Sequence, residues 1–119
     1  MKYQSLGLLL ILFFFSCDDI IEVEDISEEE VVVLAPTHNA ILSTQDVIFS
    51  WELIEEAAAY KLQIATPNFT EAIQIVGDTT VTALNFIKTL ELGDYEWRVR
   101  AENSGYHTQY TTQKFTIEE

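Results

Sequence analysis

The sequence is poor in the residues that most catalytic and metal-binding motifs require. It has one cysteine and two histidines in 119 residues, which excludes an intrachain disulfide framework and any zinc site built from several cysteines. Its four glycines form no glycine-rich phosphate loop. No serine stands in the G-x-S-x-G context of a hydrolase nucleophile. We therefore expect no enzyme activity, no metal site and no cofactor.

Basic residues are also scarce, and the acidic ones are unevenly distributed. Six lysines and arginines stand against 20 aspartates and glutamates, giving a net charge of −14. Eight of the acids lie within residues 18–30, a stretch without any lysine or arginine. Phosphate backbones repel such a chain, so nucleic acid is not an expected partner. The acidic stretch itself is typical of a self-repelling, extended tether.

One apolar run stands out, and it lies at the N-terminus. Residues 6–15 form an apolar stretch of ten that follows the basic Lys2 and ends at Ser16 and Cys17. This length matches the apolar region of a secretory signal peptide. It is too short to cross about 30 Å of hydrocarbon as a helix. Residues 1–16 are therefore predicted to be a signal peptide.

The end of this run resembles the lipobox that lipoprotein signal peptidase cleaves. A small residue, Ser16, directly precedes the single cysteine, and Phe14 replaces the usual leucine or valine, as in relaxed lipoboxes of the Bacteroidota type. The resemblance implies that Cys17 becomes the first residue of the mature protein and carries a diacylglycerol and a fatty acyl chain. Two or three such chains make a membrane anchor long-lived. The alternative is an unmodified cysteine after an ordinary signal peptide.

The acidic residues after Cys17 have more than one interpretation. In enteric bacteria an aspartate at this position retains lipoproteins at the inner membrane. In lipoproteins of the Bacteroidota type, acidic residues here resemble a signal for export to the cell surface. The relaxed lipobox and the type of domain that follows favour an outer-membrane protein, lipid-anchored at the cell surface. Residues 17–30 are then the lipidated cysteine and its acidic tether.

From residue 31 onward the pattern is that of β-strands. Apolar and polar residues alternate, and turn signals recur about every 8–12 residues, which is typical of an all-β sandwich. We predict a first strand ending at Pro36, a fourth over residues 69–76 with a turn at Gly77 and Asp78, and a fifth over residues 81–86. The residues predicted to face inward are Val47, Phe49, Trp51, Tyr60, Leu62, Ile64, Tyr95, Trp97, Val99, Ala101, Phe115 and Ile117.

Four segments together closely resemble bacterial fibronectin type III domains: FSWE at residues 49–52, AYKLQI at 59–64, LELGDYEWRVRAEN at 90–103, and Phe115. The resemblance covers residues 31–119 and implies a seven-stranded, Ig-like sandwich. It also implies that Tyr95 is the corner tyrosine, whose hydroxyl bonds to backbone upstream. Leu90 lies five residues before Tyr95 and no proline intervenes. The animal-type corner has leucine six residues before and proline four before, so this loop is shorter.

The loop before the last strand carries the candidate ligand contacts Tyr106, His107 and Tyr110, because this fold often presents ligands there. Exposed tyrosine and histidine can stack on sugars or form a protein hot spot. The alternative is that Tyr110 packs at the end of the sandwich and Tyr106 is incidental. A second candidate is Thr79, since D-T-T at residues 78–80 matches an O-glycosylation pattern of exported Bacteroidota-type proteins. A turn aspartate equally explains Asp78.

These features predict a non-enzymatic cell-surface lipoprotein whose sandwich is a binding, adhesion or accessory module for a protein or glycan. The alternative is a glycan-binding accessory of an outer-membrane polysaccharide uptake system. Lipoproteins of the starch-utilisation type begin with a related Ig-like domain, although they carry further sugar-binding domains that are lacking here.

Overall fold

The computed structural model describes residues 22–119, which form eight β-strands in two sheets. The strands are β1 (Val33–Ala35), β2 (Ala40–Leu42), β3 (Asp46–Trp51), β4 (Ala59–Thr66), β5 (Gln74–Val81), β6 (Asn85–Thr89), β7 (Gly93–Glu102) and β8 (Thr111–Ile117). One sheet has the order β1-β3-β6 and the other β2-β8-β7-β4-β5. The predicted all-β sandwich is confirmed. No helix within residues 22–119 has the length and hydropathy needed to cross a membrane.

The structure has eight strands rather than seven because a short strand that we did not predict, β2, follows the first strand and belongs to the other sheet. β1 pairs antiparallel with β3, whereas β2 pairs parallel with β8 in the other sheet. Pro36 ends β1, because it has no N–H to donate to a ladder. Asn39 then has a φ of 68°, a left-handed conformation that asparagine tolerates better than most residues. The chain turns there and enters β2.

The alternation of apolar residues predicts the core correctly. All twelve residues expected to face inward are at most 6% exposed. Aromatic rings from both sheets meet in its centre: Phe49 lies edge-to-face with Trp97 at 4.9 Å between centroids, and Phe115 stacks on Tyr95 at 5.3 Å. The indole N–H of Trp97 donates to the Pro36 carbonyl at 3.2 Å. The aromatic core therefore also holds Pro36, which lies where the chain leaves β1 for the other sheet.

The tyrosine corner is present. The Tyr95 hydroxyl donates to the carbonyl of Glu91 at 2.7 Å, which confirms the expected bond to upstream backbone. Burial raises the pKa of Tyr95, so the hydroxyl keeps the proton that it donates. Gly93 has a φ of 150°, a conformation that residues with a side chain rarely adopt, and it allows the short loop to close.

The predicted bounds of the fourth and fifth strands are wrong. β5 begins at Gln74 and runs through Gly77 and Asp78, where we expected a turn, and β6 begins at Asn85. Gly77 lies opposite Ile64 on β4, and a Cβ at Gly77 would come within 2.9 Å of the Ile64 side chain. The glycine is thus needed for close packing inside a strand. Ala65, which follows the inward-facing Ile64 and would face outward by strict alternation, is fully buried beside a register shift in the β4–β5 pairing.

Packing begins before the predicted domain boundary at residue 31. Ile26 is 2% exposed and belongs to the core. The side-chain amide of Asn103 donates a hydrogen bond to the carbonyl of Glu24 at 2.9 Å. The Thr111 hydroxyl donates to the carbonyl of Val31, also at 2.9 Å. Residues 24–31 are therefore fastened to the domain beside the loop between β7 and β8.

Candidate functional site

The outer face of the five-stranded sheet collects most of the positive charge of the domain. Residues 22–119 contain five lysines and arginines. Four of them alternate with buried positions on three adjacent strands: Lys61 on β4, Arg98 and Arg100 on β7, and Lys114 on β8. Lys61 is the register partner of Arg100. The same face also carries Asp78, Asp94, Glu96 and Glu102, so its four cations are matched by four carboxylates.

Two aromatic rings lie against these arginines. The Cζ atom of Arg98 is 4.1 Å from the centroid of the Phe69 ring and 4.4 Å from that of Tyr110. Arg100 Cζ lies 5.1 Å from the same Tyr110 centroid. These distances are within the range of cation–π attraction. We call Phe69, Arg98, Tyr110 and Arg100 the arginine–aromatic stack.

Hydrogen bonds hold the members of the stack in place. The Nε–H of Arg98 donates to Gln63 Oε1 at 2.9 Å, across the β4–β7 pairing. The backbone N–H of Phe69 donates to Glu96 Oε1 at 2.8 Å. Glu96 lies opposite Ala65, so this bond brings the loop that carries Phe69 to the β7 side of that pair. Tyr110 directly precedes β8, whose pairing with β7 fixes its position.

The charges on this face are unequally compensated. Lys61 Nζ lies 3.5 Å from Asp78 Oδ1, and Arg100 Nε lies 3.4 Å from Glu102 Oε2. Within residues 22–119, Arg98 has no carboxylate oxygen within 4.0 Å. Its guanidinium is held instead by two rings and an amide.

The loop between β7 and β8 is ordered by its own polar groups. Asn103 Oδ1 accepts the backbone N–H groups of Gly105 and Tyr106, at 3.0 and 2.9 Å. The fully buried Thr108 hydroxyl accepts the N–H of Ala101 and donates to the carbonyl of Gln109. Tyr106, 40% exposed, is therefore presented from a defined loop.

The structure places the three predicted contact residues on two neighbouring surfaces. Tyr106 and His107 lie at the loop, while Tyr110 lies on the sheet face within the stack. A shallow depression joins the two surfaces, because Tyr106, His107 and Arg100 all line it. Arg100 then contacts Tyr110. The predicted residues thus belong to one continuous surface, although they form no single cluster.

Sequence reasoning missed three members of this surface. Arg98 and Arg100 alternate with the predicted core residues Trp97, Val99 and Ala101 but were given no role, and Phe69 was placed in the predicted fourth strand. The signal for the arginines was available, since R-x-R in a strand of so acidic a chain puts two cations on one face. No comparable signal existed for Phe69, whose position depends on a loop folding onto Glu96.

The other predicted sites have different outcomes. Thr79 lies within β5 opposite Leu62, half-buried on the inner side of an edge strand, and Asp78 is paired with Lys61 rather than placed in a turn. Glycosylation of Thr79 stays a prediction. Cys17 lies outside the described residues, so its lipidation also stays a prediction.

The two histidines do not converge. His38 Nδ1 accepts the backbone N–H of Lys114 at 3.2 Å, whereas His107 bridges to Glu102. Lys114 is paired with Glu96, six residues from Glu102 along β7, which corresponds to roughly 20 Å. Residues 22–119 contain no group of three His, Cys, Asp or Glu side chains placed to hold a metal ion.

No protein-family model and no curated protein matches the chain. Solved structures do match it. Fibronectin(III)-like modules of Clostridium thermocellum CbhA superpose with a TM-score of 0.54 at 11% identity, covering 74% of this chain and 95% of theirs. The crystal structure of FN3tt gives 0.53 at 12% identity, over 74% and 95%. Domains d3–d4 of the rat CD45 extracellular region give 0.52 at 11% identity, over 98% and 80%. At these identities the likeness shows the fold, which is that of fibronectin type III domains.

Proposed function

We propose that this chain is a non-enzymatic binding module, anchored by lipid on Cys17 at the outer-membrane surface, that uses the outer face of its five-stranded sheet. The observation that carries the proposal is the arginine–aromatic stack, which is continuous with the loop bearing Tyr106 and His107. Aromatic and arginine side chains are the types most enriched among the contacts that dominate binding energy. Fibronectin type III domains commonly serve as binding or adhesion modules, which supports the same class of function.

The position of the anchor favours the sheet face over the loop tip. A Cβ on Gly105 would lie 3.4 Å from the Val23 side chain, so the N-terminal segment passes beside the loop between β7 and β8. Val23 is six positions after Cys17, a span of about 20 Å when fully extended. A lipid on Cys17 would therefore keep this loop close to the membrane. The sheet face runs away from that end and stays accessible.

A glycan ligand is the second candidate, and the chemistry of the face favours it. The register partners of the two arginines on the adjacent strands are polar: Gln63 and Thr112 for Arg98, and Lys61 for Arg100. Such groups suit hydroxyl-rich ligands. The outer face of the three-stranded sheet differs, since Val32, Leu34, Ile48 and Ile87 are 51–60% exposed there. That apolar face provides a control surface in binding tests.

The test compares variants of the two faces in the full-length protein displayed on cells. The protein or glycan that the wild-type protein captures on intact cells serves as the ligand. Its binding is measured for Tyr110→Ala and for an Ile48→Ser/Ile87→Ser double variant. The melting temperatures of both variants are measured first to confirm that they fold. The proposal expects the Tyr110 variant to lose binding and the double variant to retain it. Loss in the double variant alone would show that the wrong face has been chosen.

A further inference from the structure

A groove lies at the end of the sandwich that adjoins the N-terminal segment, apart from the arginine–aromatic stack. Its volume is about 380 Å³. One wall is the segment that precedes β1, and the other is the loop between β3 and β4. The side-chain amide of Asn103 joins the two walls, because it donates to the carbonyl of Glu24 at 2.9 Å and to that of Glu56 at 3.2 Å. The groove is therefore already formed before any ligand binds.

The charge of this groove is of one sign. Among residues 22–119, no lysine, arginine or histidine lines it. Its lining includes six exposed acids: Glu24, Asp25, Glu29, Glu30, Glu55 and Glu56. The two salt bridges of the described part of the chain involve Asp78 and Glu102, so no cationic side chain there neutralises the six carboxylates. The groove therefore attracts cationic ligands, and it repels the same end of a second copy as well as anionic membrane surfaces.

Two exposed aliphatic side chains lie among these acids. Leu53 is 62% exposed and Val32 is 53% exposed, and both line the groove beside the buried Ile54. The backbone N–H of Glu52 donates to the Val32 carbonyl at 2.9 Å, which holds the two walls side by side. An apolar contact would remove both side chains from water, with a gain proportional to the area buried. The groove thus combines an apolar floor with a carboxylate rim.

This combination selects one kind of cationic ligand. A metal ion does not fit, because no three His, Cys, Asp or Glu side chains within residues 22–119 are placed to hold one. A small hydrated cation would also leave Leu53 and Val32 in water. A polypeptide that carries lysine or arginine beside aliphatic residues meets both requirements, since its charges are spread over several positions. The stems of lysine and arginine also cover apolar surface.

We infer that this groove binds a basic amphipathic segment of a partner protein. Aliphatic side chains of the segment contact Leu53 and Val32, while its lysine or arginine side chains lie at the carboxylate rim. Opposite charge accelerates the encounter, and the apolar contact supplies much of the affinity. The inference goes beyond the proposed function and is independent of it, because no member of the arginine–aromatic stack lines the groove.

Three labelled peptides separate the contributions of charge and apolar contact. They are Lys-Lys-Leu-Leu-Lys-Lys, Lys-Lys-Ser-Ser-Lys-Lys and Glu-Glu-Leu-Leu-Glu-Glu, and fluorescence anisotropy measures their binding to the full-length protein in phosphatidylcholine nanodiscs, with empty nanodiscs as the blank. We expect the lysine–leucine peptide to bind at least tenfold more tightly than the lysine–serine peptide, because the serine peptide lacks both apolar contacts. The glutamate peptide should not bind, since like charges repel it. Equal affinity for the two lysine peptides, or no binding of either, would overturn the inference.

A variant of the apolar floor assigns the binding to the groove. Leu53→Ser should weaken binding of the lysine–leucine peptide by about threefold to tenfold. Ile87→Ser on β6 removes a similarly exposed aliphatic side chain outside the groove and should bind as the wild type does. Equal affinities of the two variants would refute the site.

A charge variant tests the rim. Glu55→Gln/Glu56→Asn removes two carboxylates, and asparagine tolerates the φ of 71° at this position better than most residues. We expect binding of the lysine–leucine peptide to weaken by about threefold to tenfold. Glu118→Gln/Glu119→Gln removes the same charge beyond β8 and should have little effect. Equal losses in the two double variants would indicate attraction by net charge alone and contradict the inference.

Two further measurements identify other occupants of the groove and other positions of the peptide. Tyr110→Ala should leave the affinity for the lysine–leucine peptide unchanged, and a loss there would place the peptide on the sheet face. Sedimentation equilibrium of the full-length protein in detergent measures self-association. A dimer that Leu53→Ser dissociates would assign the groove to a second copy of the chain and overturn the inference.

Discussion

Two buried tyrosines, Tyr60 and Tyr95, each make one hydrogen bond through the hydroxyl group. We expect that replacing each with phenylalanine lowers the free energy of unfolding by a different amount. The Tyr60 hydroxyl accepts the N–H of Ile54 at 3.0 Å inside the core. The Tyr95 hydroxyl donates to the Glu91 carbonyl at 2.7 Å at a partly exposed corner. Phenylalanine fills the same space in both cases, so no cavity contributes. The difference lies in the partner that each substitution leaves behind.

The magnitudes follow from those partners. Tyr60→Phe leaves a buried N–H without an acceptor, and such an orphaned group costs about 1–3 kcal/mol. Tyr95→Phe leaves the carbonyl of Glu91, an exposed residue, and water can replace the lost bond. The cost is then about 0.5–1.5 kcal/mol. In a domain of this size, 1 kcal/mol corresponds to about 4–8 °C in melting temperature. We therefore expect Tyr60→Phe to melt several degrees below Tyr95→Phe.

Urea denaturation followed by tryptophan fluorescence measures both free energies of unfolding, and unchanged m-values confirm that the unfolded states are comparable. Alkaline pH gives a second readout for Tyr95. Because burial raises the pKa of Tyr95 in the folded state, its contribution is complete below the unfolded pKa of about 10 and is lost as pH rises through the folded value. Tyr95→Phe should weaken this alkaline loss. A Tyr95→Phe variant less stable at neutral pH than Tyr60→Phe would refute the reasoning.

Four further outcomes are expected. Intact-mass spectrometry of membrane-extracted protein should show a chain that begins at a diacylated Cys17, and an unmodified thiol would contradict this. The same spectrum should carry a glycan mass that Thr79→Ala abolishes. Trp97→Ala should cost about 3–5 kcal/mol, since the indole is fully buried; a nearly unchanged melting temperature would show that the core is misassigned. Ile26→Ala should cost about 2–4 kcal/mol whereas Val23→Ala, at an exposed position, should have little effect; equal stabilities would place both in a free tether.

The sequence was sufficient where a single physical effect decides the structure. The alternation of apolar and polar residues in β3 and β7 indicates which side chains are buried. Phe49, Trp97 and Val99 could therefore be assigned to the core without knowledge of their neighbours. The corner tyrosine was equally accessible, because Tyr95 and its acceptor are four residues apart. Its acceptor is local, so the shorter loop did not prevent the bond.

Prediction failed where distant residues decide a local conformation. Gly77 reads as a turn residue, but its role is set by Ile64 on the adjacent strand. Pro36 was expected to end a strand, which it does. The transfer to the other sheet also requires β8 to be in place as a parallel partner for β2. In both cases the deciding contact is long-range, and no local pattern encodes it.

The distribution of charge connects the fold with the proposed function. Residues 22–30 bring six acids to the end of the domain that adjoins the predicted anchor, and these would be repelled by an anionic membrane surface. The cations lie along β4, β7 and β8, on a face that they share with Asp78, Asp94, Glu96 and Glu102 and that is therefore close to neutral. The acids near the predicted anchor would therefore hold the domain off such a membrane, while the near-neutral sheet face imposes no particular charge on the ligand that it binds.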